Sequence, residues 1–155
     1  MELLVTPKGS KFLVQDKKSR LLYTVKKKGF GGRYNLQDAS DYNLYTLLQT
    51  EEGRKPGFSI ILNDELFLKL TCKSLFLDPT IECEGKDMNF TLSSKERKEF
   101  KIIKNGAVVG TIKTVSMLSG DLQYEIEIEN TAFDDYIPLF AVAIDKAFGE
   151  MNKNK

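Results

Sequence analysis

A chain of 155 residues, 41% apolar and 29% charged, has the composition of an ordinary soluble globular protein and enough length to bury a substantial core. It contains no His, no Trp and only two Cys, which excludes imidazole acid–base chemistry, Ser–His and Cys–His nucleophile pairs and His-ligated zinc. The net charge is +1 but unevenly spread: residues 1–35 carry nine cations (Lys8, Lys11, Lys17, Lys18, Arg20, Lys26, Lys27, Lys28 and Arg33) against two acids, Glu2 and Asp16.

The first seven residues, Met1-Glu2-Leu3-Leu4-Val5-Thr6-Pro7, have no basic stretch and no apolar run of signal-peptide length, so a cytoplasmic protein is expected. Strand-like units then repeat every 22–24 residues, each with an aromatic residue near the start of one strand and a polar turn leading to a second. The first runs from Phe12 to Val25 around Lys17-Lys18-Ser19-Arg20. The second runs from Tyr34 to Leu48 around a turn ending near Tyr42, and the third from Phe58 to Leu70 around Asn63-Asp64. A later copy spans Phe100 to Ile112 around Asn105-Gly106, a pair that tolerates the positive φ of a tight hairpin.

Between these copies, 80–83 and 88–92 read as short strands around Gly85. Cys72 and Cys83, eleven apart and outside any CxxC pair, read as small core residues rather than a disulfide. Residues 121–129 alternate cleanly, with Leu122, Tyr124, Ile126 and Ile128 on one face and Gln123, Glu125, Glu127 and Glu129 on a wet one. Carboxylates on a solvated strand face have nothing to raise their pKa for acid–base work.

After about eleven strands the spacing predicts one helix, roughly 134–151. Asp134 and Asp135 suit its N-terminus, and Pro138 is tolerable only in its first turn. From Ile137 through Phe140 to Ile144 it is apolar around the whole circumference, so it must be buried on nearly all sides, inside a strongly curved sheet or closed barrel. The apolar stretch 136–148 is too short to span a membrane and holds Asp145 and Lys146. Asp145, a carboxylate beside a buried turn, needs a hydrogen-bonding partner, expected at the barrel rim.

Hairpin repeats ending in an enclosed helix, with the segment Phe140-Ala-Val-Ala-Ile-Asp145, resemble the tubby C-terminal-like superfamily, which includes the LURP-one-related proteins and the phospholipid scramblases. The resemblance covers about residues 12–150. It implies a mainly β fold over 1–155: a single domain built as a twelve-stranded antiparallel β-barrel around a hydrophobic C-terminal helix. It also implies binding rather than catalysis, since tubby domains bind phosphoinositides through basic side chains on the barrel. Asp134-Asp135 is only a faint echo of the acidic calcium-binding stretch that scramblases carry before the helix. The scramblase Cys-rich lipidation segment has no match, and neither activity carries over residue by residue.

The string Lys26-Lys27-Lys28-Gly29-Phe30-Gly31-Gly32-Arg33 is the chief candidate site. Glycines let backbone N–H groups approach an anion and the cations add charge, although the P-loop order is absent. The same string also serves as a basic connection between hairpins. The expected function is therefore a non-catalytic binding or scaffold module. It would meet anionic lipid or phosphate groups through Lys26, Lys27, Lys28 and Arg33, peripherally at a membrane, or would dock a protein partner by an exposed barrel edge or the basic patch. No cofactor or metal motif is present, and the near-neutral charge without a basic helix does not support nucleic-acid binding.

Overall fold

A computed structural model describes residues 1–29, 31–52, 55–75, 78–96 and 98–153. Its elements are β1 (Glu2–Lys8), β2 (Lys11–Gln15), β3 (Leu21–Lys27), β4 (Arg33–Asp38), β5 (Asn43–Glu52), β6 (Lys55–Leu62), β7 (Glu65–Ser74), β8 (Thr80–Gly85), β9 (Asn89–Ser93), β10 (Glu99–Lys104), β11 (Ala107–Ser116), β12 (Leu122–Ile128) and α1 (Pro138–Lys153). Every strand pairs antiparallel with its sequence neighbours, and β1 pairs with β12, so the sheet closes into a twelve-stranded barrel. Closure removes the free strand edge considered above as a docking route for a partner.

The alternation seen in the sequence decides which face is inside. On β12, Leu122, Tyr124, Ile126 and Ile128 are buried while Glu125 and Glu127 are exposed. The inward residues of the strands, Val5, Val25, Ile60 and Ile112 among them, have no accessible surface. They enclose α1, whose residues Leu139 to Ile144 are all fully buried. Ala141 and Ala143 sit between larger side chains on this helix, so the barrel wall closes on it from every direction. Cys72 and Cys83 are both buried and free. Burial pushes the Cys72 thiol up to about 11 and raises that of Cys83 as well, which leaves both unreactive.

The helix begins four residues later than the sequence reading placed it. Residues 134–137 form tight turns, in which the Ile137 N–H donates to the Asp134 carbonyl at 3.1 Å and the Phe140 N–H to the Ile137 carbonyl at 2.9 Å. Pro138 is then the first helical residue, where its missing N–H costs nothing. The larger difference is β1, which the alternation had not revealed. Its pairing with β12 runs from Glu2 to Val5, and Pro7 lies beyond it, where no N–H is needed for that ladder.

The 22-residue repeat is visible in atomic detail at two turns. Asp16 opens the β2–β3 turn, and its Oδ1 accepts the N–H groups of Lys18 and Arg20, each at 2.9 Å. Asp38 does the same at the β4–β5 turn with Ser40 and Tyr42, at 2.8 and 3.0 Å. Ser19 and Asp41 take matching left-handed conformations, φ 61° and 64°. The Arg20 backbone N–H, with help from its side chain, holds the Asp16 carboxyl below the usual range.

Candidate functional site

In a closed antiparallel barrel the hairpin turns alternate between two ends. One end carries the turns after β1, β3 and β11 and the C-terminal part of α1; the other carries the turns after β2, β4 and β6 and the start of α1. Around β1–β3 and the helix the first end gathers Lys8, Lys11, Lys26, Lys27, Lys28 and Lys146, with Asp121 and Asp145 beside them, while the turns after β7 and β9 at the same end carry Asp78 and Glu96. The second gathers Asp38, Asp41, Asp64, Glu65, Glu129, Asp134 and Asp135. The basic excess of residues 1–35 is thus divided: Lys17, Lys18 and Arg20 lie at the second end. There Lys17 pairs with Glu2, and Arg20 with Asp16 at 2.7 Å.

Register brings three lysines into one row. Lys8 pairs directly with Lys11, and Lys11 with Lys26, across β1, β2 and β3. Like charges directly opposite on a sheet are destabilising. Among the described residues none of these three ammonium groups has an ion-pair partner. Lys26 was in the sequence string; Lys8 and Lys11 were not, because only the pairing register shows that they flank it.

The other three cations of the string go separate ways. Lys27 lines a cleft of about 240 Å³ at the barrel mouth together with Ser10, Phe12, Tyr34, Asp145 and Lys146. Lys28 is exposed on the turn, its N–H donating to the Arg33 carbonyl at 2.9 Å. Arg33 lies on a groove of the outer wall with Thr46, Ile61 and Asp64, two residues from Asn35, which pairs with Lys26. Phe30 lies outside the described residues.

The floor of the mouth is fixed by the helix. The Tyr124 hydroxyl donates to Asp145 Oδ1 at 2.7 Å. Burial first, and then the Asp145 charge, raise the Tyr124 pKa. Lys146 Nζ sits 5.7 Å from the Phe12 ring centre and 5.3 Å from that of Tyr34, close enough for cation–π attraction, and 3.9 Å from Asp145 Oδ2. Phe140 and Ile144 lie within the barrel, Phe140 against Phe90 at 5.0 Å between ring centres. Replacing Tyr124 with Phe should leave the fold intact but lower its stability by about 2 kcal/mol, because Asp145 loses a charge-assisted hydrogen bond. Urea unfolding reads this directly; an unchanged midpoint would mean that the bond contributes nothing.

At the opposite end the Tyr23 hydroxyl donates to Asp135, anchoring the start of the helix. Burial, then the hydrogen bond to Asp135, raise the Tyr23 pKa. The Asp135 N–H in turn donates to Asp134 Oδ1 at 2.8 Å. Among the described residues no group of three or more potential metal ligands comes together, there or elsewhere. No helix of the described residues is long and apolar enough to cross a membrane.

A closed twelve-stranded barrel threaded by its own C-terminal helix is the tubby-like architecture. The chain belongs to the LURP-one-related family, whose model matches residues 1–145, all twelve strands and the helix as far as Asp145. No curated protein and no solved structure matches it. Membership is consistent with a non-catalytic binding module.

Proposed function

We propose that this protein is a non-catalytic binding module that recognises anionic lipid or phosphate groups with the basic end of its barrel. Lys26, Lys27 and Lys28 contribute from the β3–β4 turn, Lys8 and Lys11 from the β1–β2 turn, and Arg33 contributes charge from the outer wall. The observation that carries this reading is the row Lys8–Lys11–Lys26: three cations held opposite one another repel until an anion lies across them.

The test is co-sedimentation with phosphatidylcholine vesicles, with and without phosphatidylserine. The wild-type chain should sediment only with the anionic vesicles, and less as salt rises. Each lysine near such a surface is worth about 1 kcal/mol, so Lys26→Glu combined with Lys28→Glu should weaken binding by roughly thirtyfold or more. Unchanged binding by that double variant would remove these residues from the site.

A protein partner is the second reading. It is favoured by Tyr42 and Leu66, 70% and 62% exposed beside the acidic turns of the other end. One stoichiometric copurifying protein, with no vesicle binding, would select it.

A further inference from the structure

The most exposed apolar side chain among the described residues is Leu118, on the turn between β11 and β12. Its relative exposure of 111% means that it is as open to water as in an extended peptide. The exposure is built into the turn. The Met117 N–H donates to the Asp121 carbonyl at 2.9 Å and the Gly120 N–H to the Met117 carbonyl at 3.0 Å. Ser119 Oγ donates to Asp121 Oδ2 at 3.2 Å, and Gly120 takes φ 90°. The loop is closed on itself and holds Leu118 outward. Such turn positions favour Gly, Asn, Asp and Ser, and nothing in the fold calls for a Leu there.

Its position supplies the reason. The turn lies at the basic end, and β12 neighbours β1 in the barrel. Asp121 and Leu122, at the end of the turn, line the same cleft as Gly9, Ser10, Lys27 and Lys146. A protruding leucine therefore stands by a cleft that holds Lys27 and Lys146 along with the carboxylates of Asp121 and Asp145. Apolar side chains projecting from a cationic surface suit the bilayer interface, where cations stay with headgroups and the apolar group enters the acyl boundary. A second copy of this chain would bring lysines against lysines if it docked by this same face, which excludes self-pairing there.

We propose that the 117–121 turn is a membrane-insertion wedge: Leu118 enters the lipid interface of an anionic bilayer while the neighbouring lysines hold the headgroups. This rests on the reading of the basic end given above and narrows its ligand to a lipid surface.

Because the chain contains no Trp, Leu118→Trp introduces a single reporter. Adding phosphatidylcholine–phosphatidylserine vesicles should shift its emission to the blue, and brominated acyl chains should quench it; phosphatidylcholine alone should do neither. In parallel, Leu118→Ser should weaken vesicle affinity roughly tenfold, the scale expected for a leucine that buries part of its surface, with an unchanged thermal melt. If the Leu118→Trp protein sediments with anionic vesicles while its emission stays that of water-exposed indole, the wedge is wrong and the headgroup reading stands. Loss of sedimentation by this variant alone also overturns the wedge, since an interfacial site accepts Trp. Failure of the wild-type chain to sediment overturns both. A blue shift produced only by an acidic protein, with vesicles silent, overturns the wedge in favour of a protein partner.

Discussion

Phe140→Asp should leave no folded barrel. Phe140 has no accessible surface and lies in the first turn of the enclosed helix, its ring 5.0 Å from that of Phe90 and 5.8 Å from that of Tyr136. A carboxylate there would be buried among aromatic rings and aliphatic side chains, with Lys104 over the Phe90 ring, 5.6 Å from its centre, rather than at Phe140. Burying an unpaired charge costs several kcal/mol even after relaxation, and the ring's own packing is lost as well. Together these match or exceed the ~5–15 kcal/mol by which domains are usually stable. The conservative control is Phe140→Leu, which should fold and lose only about 1–2 kcal/mol. Circular dichroism and size-exclusion chromatography read both variants. A soluble Phe140→Asp protein with a cooperative melt would mean that the helix is not inside the barrel.

Gly110→Ala should be the most damaging methyl addition. Gly110 sits on β11 between Ile102 of β10 and Ile128 of β12, where the β10–β11 pairing shifts register. A Cβ at this position would lie 2.2 Å from the Glu127 carbonyl oxygen and 2.8 Å from the Ile128 Cα. Both are backbone atoms of the neighbouring strand, so no side chain can swing aside and the ladder itself must move. A loss of about 3 kcal/mol is expected, the upper end for overpacking, or roughly 10 °C in melting temperature for a chain of this size. Gly106 is the contrast. Its φ of 88° is a backbone strain for Ala, but nothing lies within 4 Å, so Gly106→Ala should cost about 1 kcal/mol. Equal losses at the two glycines would contradict the close approach of β11 to β12.

Much of this architecture was legible because its signals are local. The Asn63-Asp64 and Asn105-Gly106 turns, the alternation from Leu122 to Ile128, and a helix apolar on all sides each follow from a few adjacent residues. The superfamily resemblance followed from their order along the chain. What escaped depends on partners far away in sequence. β1 alternates weakly and contains Pro7; it is a strand because β2, close in sequence, and β12, more than a hundred residues later, both pair with it. The helix start slid from Asp134 to Pro138 because Asp135 is held by the Tyr23 hydroxyl rather than by a first helical turn.

The proposed basic site was half legible for the same reason. Lys26 is conspicuous in a run of three lysines, whereas Lys8 and Lys11 are isolated in the sequence and join it only through register. Arg33 belongs to the same run and shares the outer face with Lys26, and there it lines a groove with Thr46, Ile61 and Asp64. Leu118 gave no signal at all, since a single leucine in a turn is visible as exposed only when the turn has been built.

Hydrogen–deuterium exchange with and without anionic vesicles tests most directly that one end of this barrel is the recognition surface. Bound to phosphatidylserine-containing vesicles, the chain should gain protection in the turns at 8–11, 26–28 and 117–121. The turns at 38–43 and 63–65, at the acidic end, should exchange as they do free in solution. Protection that appears at 38–43 and 63–65 instead, or no change anywhere, would contradict the account.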